Sequence, residues 1–201
     1  MRLKTEAKRL AILEAAAAEF SKRGFHETTL THVAERMGSS KATIYNYFRT
    51  KGELLGATLA AASIPATVAL LEAFEGTAPF PARLQAFARA YLRLRTGDMA
   101  IALQRLLIAE TDRSDQVIRP FLDDPDIHAP PHLVRIFRRE QEQGNLRAGD
   151  CEEMARHLET LMCGDILLRL LFGERTSFAD EEKDAAADSA VRFFLAACGA
   201  E

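Results

Sequence analysis

The sequence is poor in the residues and patterns that commit a chain to several common classes. Cysteine occurs three times in 201 residues, at Cys151, Cys163 and Cys198. An odd number without framework spacing excludes a disulfide-stapled secreted module and fits a reducing, cytoplasmic setting. No alternation of β-branched residues runs beyond a few positions, so a sheet has no strands to draw on. GxSxG, P-loop, GxGxxG and HExxH patterns are all missing, and neither an enzymatic activity nor a cofactor is expected. His128 and His132 stand four apart, but Pro130 and Pro131 interrupt the helix that would align them, so no metal site is expected there. Long uncharged runs are scarce as well. The Ala15–Ala18 run is flanked by Glu14 and Glu19 and forms no signal-peptide core. Leu54–Leu71 carries no charge, yet it is mostly Ala, Thr, Ser, Gly and Pro, and reads as a buried helix between two modules rather than a membrane span.

What is present is helix. With 48% hydrophobic and 27% charged residues the composition is that of a chain burying a core. Apolar residues recur at spacings of three and four, which predicts an all-helical protein. The first helix is expected over Leu3–Arg23, with Gly24 as C-cap, Ile12, Leu13, Ala16, Ala17 and Phe20 inward, and Lys8, Glu14, Glu19 and Lys22 away from that stripe. Thr28 and Thr29 offer caps to a short helix over Leu30–Met37. Gly38 ends it, and Ser39 and Ser40 open a third over Lys41–Phe48, in which Ile44 and Phe48 point inward. Arg49, Thr50 and Lys51 start a fourth, which Pro65 is expected to break or kink. Further helices are expected over Phe80–Arg95, Met99–Thr111, His132–Gln143, Cys151–Phe172 and Asp180–Cys198, with an irregular stretch over Asp123–Pro131.

Charge is divided along the chain. Residues 1–51 hold ten Lys/Arg against five Asp/Glu, and residues 52–201 sixteen against twenty-four, so a head of +5 precedes a body of −8. A basic head on an acidic body suits a protein that meets a polyanion through its head. Two short helices joined by a glycine turn and braced by a longer one make a helix-turn-helix. With Ile44 and Phe48 inward, Lys41, Ala42, Thr43, Tyr45, Asn46 and Tyr47 turn outward, and no carboxylate occurs from Gly38 to Gly52. An ordinary solvated face mixes signs; a face set against phosphates excludes carboxylates, because each would oppose the counterion release that drives binding. Small Ala42 lets the helix press into a major groove, and Tyr45 can touch a thymine methyl.

The run TTLTHVAERMGSSKATIYNYFRTKGELL, Thr28–Leu55, preceded by FSKRGF, resembles the DNA-binding motif of TetR/AcrR-family transcriptional regulators. The resemblance implies a helix-turn-helix DNA-binding domain over residues 1–51, continuing into the fourth helix, and an effector-binding and dimerisation domain over 52–201. It implies that Thr29, Thr43, Tyr47 and Lys51 hold the phosphate backbone, while Thr31, Lys41, Ala42, Tyr45 and Asn46 approach bases. Ser39 departs from the small apolar residue, typically valine, that the family more often has at that place.

In the body, the second half of the helix ending at Phe172 is apolar nearly all round, at Ile166, Leu167, Leu168, Leu170, Leu171 and Phe172, so it is expected to bury two faces. The last helix offers Ala187, Ala190, Val191, Phe194 and Cys198 at steps of three and four. Together the last two helices are expected to form a four-helix interface in a homodimer, placing two recognition helices about 34–36 Å apart on duplex DNA with a palindromic operator. Tyr91, Leu103, Leu107, Phe137 and Met162 are the candidate lining of a pocket for a small, largely apolar effector. The expected function is a sequence-specific transcriptional regulator, most often a repressor, released from its operator by that effector, in the cytoplasm and without membrane contact. The competing reading is a small-molecule binding protein whose N-terminal module is vestigial.

Overall fold

The structure is a computed structural model that describes residues 2–74, 76–110 and 129–200; inside its helices some side chains, Leu103 and Leu107 among them, lie outside the described set. The elements are α1 (Arg2–Glu27), α2 (Leu30–Arg36), α3 (Lys41–Tyr45), α4 (Lys51–Leu71), a 3₁₀ turn (Glu72–Phe74), α5 (Phe80–Arg95), α6 (Asp98–Glu110), α7 (Ala129–Glu142), α8 (Cys151–Leu171) and α9 (Asp180–Cys198). Among the described residues there is no strand, and one isolated bridge joins Leu146 to Gly199.

Several boundaries differ from the sequence reading for local reasons. Gly24 does interrupt α1, at φ 74 and ψ 175, but a further helical turn follows it. Helix α3 ends at Tyr45, yet Asn46 stays helical at φ −68, ψ −22, and the Phe48 amide donates to the Ile44 carbonyl at 3.0 Å, so Phe48 still turns inward. Helix α4 runs unbroken through Pro65. Helix α7 begins before His132 because Pro130 and Pro131 fall in its first turn, where a missing N–H leaves nothing unpaired. Residues 123–128 of the expected irregular stretch, His128 included, lie outside the described residues. Helix α8 is interrupted at Gly164 (φ 28, ψ −130), a break the continuous apolar pattern conceals.

The chain forms two compact units, one made by the chain up to Ile64 with α6 from Ala102 onward, the other by Pro65–Ile101 and the C-terminal part. In the first, Ile12, Leu13, Ala16 and Phe20 of α1 meet Leu30, Val33 and Ala34 of α2, Ile44, Phe48, and Leu54, Leu55 and Leu59 of α4. Glu19, read from the sequence as a surface charge, is buried and accepts from Arg23 Nε at 2.8 Å and Arg36 Nη1 at 3.0 Å. Those hydrogen bonds, Arg23 first, hold its carboxyl below the ordinary carboxylate range, and they tie α1 to α2. By length and composition α4 could cross a bilayer. Its leucines, however, are core: Leu54, Leu55 and Leu59 in the first unit and Leu70 in the second.

The second unit centres on Leu84, Phe87, Leu92, Leu133, Phe137, Leu158, Met162 and Phe194. Phe137 stacks on Phe194 with centroids 5.2 Å apart and meets Phe80 edge-on at 6.5 Å. Two ion pairs join α5 to α9: Arg89 to Asp188, through Nε at 2.8 Å and Nη2 at 2.6 Å, and Arg93 to Asp184 at 2.7 Å. The bidentate Arg89 contact holds the Asp188 carboxyl below its usual range.

Candidate nucleic-acid interface

The turn between α2 and α3 is built by backbone geometry. The Gly38 amide donates to Glu35 O at 3.0 Å and the Ser39 amide to Ala34 O at 2.9 Å, the paired 5→2 and 6→1 bonds of a Schellman motif. Gly38 occupies the left-handed position, φ 59, that the motif requires. A Cβ there meets nothing within 4 Å, so Gly38→Ala carries backbone strain without a clash. The expected loss is about 1–2 kcal/mol of unfolding free energy, read from the denaturant midpoint; an unchanged midpoint would show that the turn relaxes freely. Ser39 occupies the position whose apolar side chain often touches the C3 residue of such motifs, here Ala34, which is the physical content of its departure from valine.

Each short helix is capped by a hydroxyl. Thr29 Oγ1 accepts from the His32 amide at 3.2 Å, while His32 Nδ1 accepts from the Thr29 amide at 3.3 Å, a capping box with imidazole in the place of the usual carboxylate. The Thr29 hydroxyl is exposed and accepts here, leaving its proton for an outside acceptor. Ser40 Oγ accepts from the Thr43 amide at 3.2 Å, and the two hydroxyls lie 2.9 Å apart. Thr28, buried beneath, sets its hydroxyl 2.6 Å from the Gly24 carbonyl. Thr50 Oγ1 accepts from the Glu53 amide at 3.0 Å at the start of α4.

On α3, Ile44 is fully buried while Lys41, Ala42, Tyr45 and Asn46 are exposed, with Tyr45 at 47%. Lys41 Nζ lies 5.6 Å from the centre of the Tyr45 ring, so the cation and the aromatic share one face. Thr43 and Tyr47 are half-buried, Tyr47 packing on the head's core, and Thr31 is half-buried on α2. Lys51 is placed differently from a free phosphate ligand. Its ammonium donates to Phe25 O at 2.6 Å and His26 O at 3.1 Å and lies 4.3 Å from the Phe25 ring centre, so it caps the end of α1. The separations of 26 and 25 residues between these groups explain why local sequence reading could not see it. The Arg9 guanidinium likewise lies over Phe48, at 5.6 Å.

Tyr91, Phe137 and Met162 are buried together in the second unit's core, and the side chains of Leu103 and Leu107 lie outside the described set. Tyr91 Oη donates to Glu159 Oε1 at 2.5 Å; burial, then the Glu159 charge, push its phenol well above the usual value. Tyr91, Phe137 and Met162, offered by the sequence as large side chains able to line a pocket, are core residues, and a sequence cannot tell a core side chain from a pocket lining.

A capped helix pair with a glycine turn and an exposed cationic, aromatic and carboxylate-free face defines a helix-turn-helix module. Residues 12–58 match the model of bacterial regulatory proteins of the tetR family, and residues 82–200 that of the AefR-like transcriptional repressor C-terminal domain. The chain therefore belongs to the TetR family of DNA-binding transcriptional regulators. No curated protein matches it. Among solved structures it is similar to a Mesorhizobium loti MAFF303099 protein assigned to the TetR family, at 24% identity and TM-score 0.88, covering 96% of this chain and 98% of that one. It is similar to a TetR transcriptional regulator from Agrobacterium tumefaciens at 25% identity, TM-score 0.72, covering 96% and 95%. The Flavonoid-responsive Regulator FrrA matches at 24% identity, TM-score 0.72, covering 96% and 98%.

Proposed function

We propose that the protein is a homodimeric, cytoplasmic repressor that leaves its operator when a small, largely apolar effector binds. Residues 1–51 with the head of α4 are the DNA-binding domain in this reading, and residues 52–201 bind effector and partner. The observation that carries it is the exposed α3 face, where Lys41, Ala42, Tyr45 and Asn46 stand clear of the core with no acid among them. Thr31 and these four read bases, and Thr29, Thr43, Tyr47 and Lys51 hold phosphates, Lys51 from its seat on the α1 carbonyls. Tyr91, Leu103, Leu107, Phe137 and Met162 respond to the effector; a relative whose name describes it as flavonoid-responsive supports a small organic molecule in that role. Because α4 is continuous from Lys51 to Leu71 and supplies leucines to the cores of both units, it is the natural lever. The effector lowers DNA affinity by the factor with which DNA lowers effector affinity.

Selection of bound sequences from random duplexes tests this. A palindrome is expected, with a log–log salt slope of about −0.9 per phosphate neutralised. Tyr47→Ala should weaken all duplexes alike, whereas Lys41→Ala should also change the preferred bases. A flat salt dependence would favour the competing reading, a small-molecule binder with a vestigial head.

A further inference from the structure

Helix α7 carries His132, Arg135, Ile136 and Arg139 at steps of three, four and seven, so all four lie along one stripe. Opposite them stand Leu71, at the end of α4, and Phe74, in the 3₁₀ turn, and the six residues line an open groove of about 210 Å³. Three of the six are apolar, three are basic, and none is acidic. That is unusual ground in a body that carries sixteen Lys/Arg against twenty-four Asp/Glu.

Among the described residues the two guanidiniums are not fully neutralised. Arg135 makes no ion pair among the described residues; its Nη2 lies 2.5 Å from His132 Nδ1, which must accept because a guanidinium only donates. That contact aligns the imidazole and the guanidinium along the rim without cancelling any charge. The carboxylate near Arg139 is Glu140, 3.7 Å away, but Glu140 already accepts from Arg83 at 3.1 Å and Asn145 at 2.7 Å. One carboxylate shared by two guanidiniums leaves a net positive charge at the groove. Both Arg135 and Arg139 are exposed, whereas Leu71 and Ile136 are half-buried and Phe74 is buried, so the groove's lining pairs solvent-facing cations with sheltered apolar side chains.

We infer that this groove binds an anionic amphiphile: an organic acid whose carboxylate or sulfonate is held by Arg135 and Arg139 and whose aromatic or aliphatic body lies on Leu71, Phe74 and Ile136. A neutral apolar ligand would leave the guanidiniums to water and gain nothing from them; a small inorganic anion would leave the apolar side chains uncovered. The combination selects a molecule with both parts. The site is distinct from the buried set around Tyr91, and its occupancy does not require the DNA-binding reading to hold.

Isothermal titration of the protein without DNA tests it, using 2-naphthoate and its uncharged counterpart 2-naphthalenemethanol as probes. Naphthoate is expected to bind about tenfold or more tightly than the alcohol. The double substitution Arg135→Gln/Arg139→Gln should remove that advantage, with an unchanged helical circular dichroism spectrum, whereas Arg138→Gln, on the same helix but not lining the groove, should preserve it. Equal affinity for acid and alcohol, an advantage that survives the double substitution, or no detectable naphthoate binding to the unaltered protein would each overturn the inference.

Discussion

Replacing Glu140 by alanine should cost about 3–5 kcal/mol of unfolding free energy and lower Tm by roughly 10 °C, the largest single-residue effect expected of a charged position here. Glu140 is 0% exposed, and its partner Arg83 is nearly as deeply placed. The carboxylate accepts from Arg83 Nη2 and Asn145 Nδ2, while its backbone carbonyl receives the Asn145 amide at 2.8 Å and the Leu146 amide at 3.3 Å. Arg83 in turn donates to Phe74 O at 3.0 Å and Ala78 O at 2.9 Å, so the pair joins the end of α7 to the turn before α5. Removing the carboxylate leaves a guanidinium in a site with little water. That uncompensated charge, more than the lost attraction, sets the size of the effect. Glu140→Gln, which keeps volume and an acceptor, should cost less, and exposed Glu142→Ala close to nothing. Urea denaturation of the three variants measures it; a loss below about 1 kcal/mol for alanine would mean that Arg83 finds other partners.

These buried acids also mark what the sequence could and could not disclose. Helix positions followed from apolar spacing and capping residues, so Phe80–Arg95 and Asp180–Cys198 appear in the structure with the predicted limits. The helix-turn-helix was legible because its signals are local: Gly38 for the left-handed turn, Ser40 and Thr29 for caps, Ile44 against Lys41 and Tyr45 for inside and outside. Glu19 and Glu140 were not, because beside any local partner, such as Arg23 for Glu19, each is held by an arginine that the fold brings from elsewhere: Arg36, seventeen residues from Glu19, and Arg83, fifty-seven from Glu140. The interruption at Gly164 escaped for a related reason, since glycine in an apolar helix permits a break without requiring one. The Tyr91 set shows the remaining limit. Periodicity states which side chains turn inward, and a pocket differs from a core by whether protein fills the space, which for Phe137 is done by Phe80 and Phe194.

Phe172→Glu combined with Phe193→Glu should convert the protein to a monomer and reduce affinity for a palindromic duplex by about a hundredfold or more, leaving the fold intact. The apolar second half of α8 divides in the structure: Leu167 and Leu170 are buried, while Leu168 is 53% and Phe172 84% exposed. On α9, Phe194 is core and its neighbour Phe193 is 67% exposed. Leu161 and Phe193 line one groove with His157, Thr160 and Ala197, of about 250 Å³. Large apolar side chains gathered on the last two helices are what a second copy would cover, and a two-fold axis would set the same face of each copy against the other. Because none of the exposed phenylalanines supports its own subunit's core, charge placed there acts on association and spares folding. Sedimentation velocity reads the first effect. Titration of a full palindrome against a half-site reads the second: the doubly substituted protein should bind both equally, because one head then engages at a time. A dimer that persists with both glutamates in place would move the interface elsewhere, and with it the spacing proposed for two α3 helices on one operator.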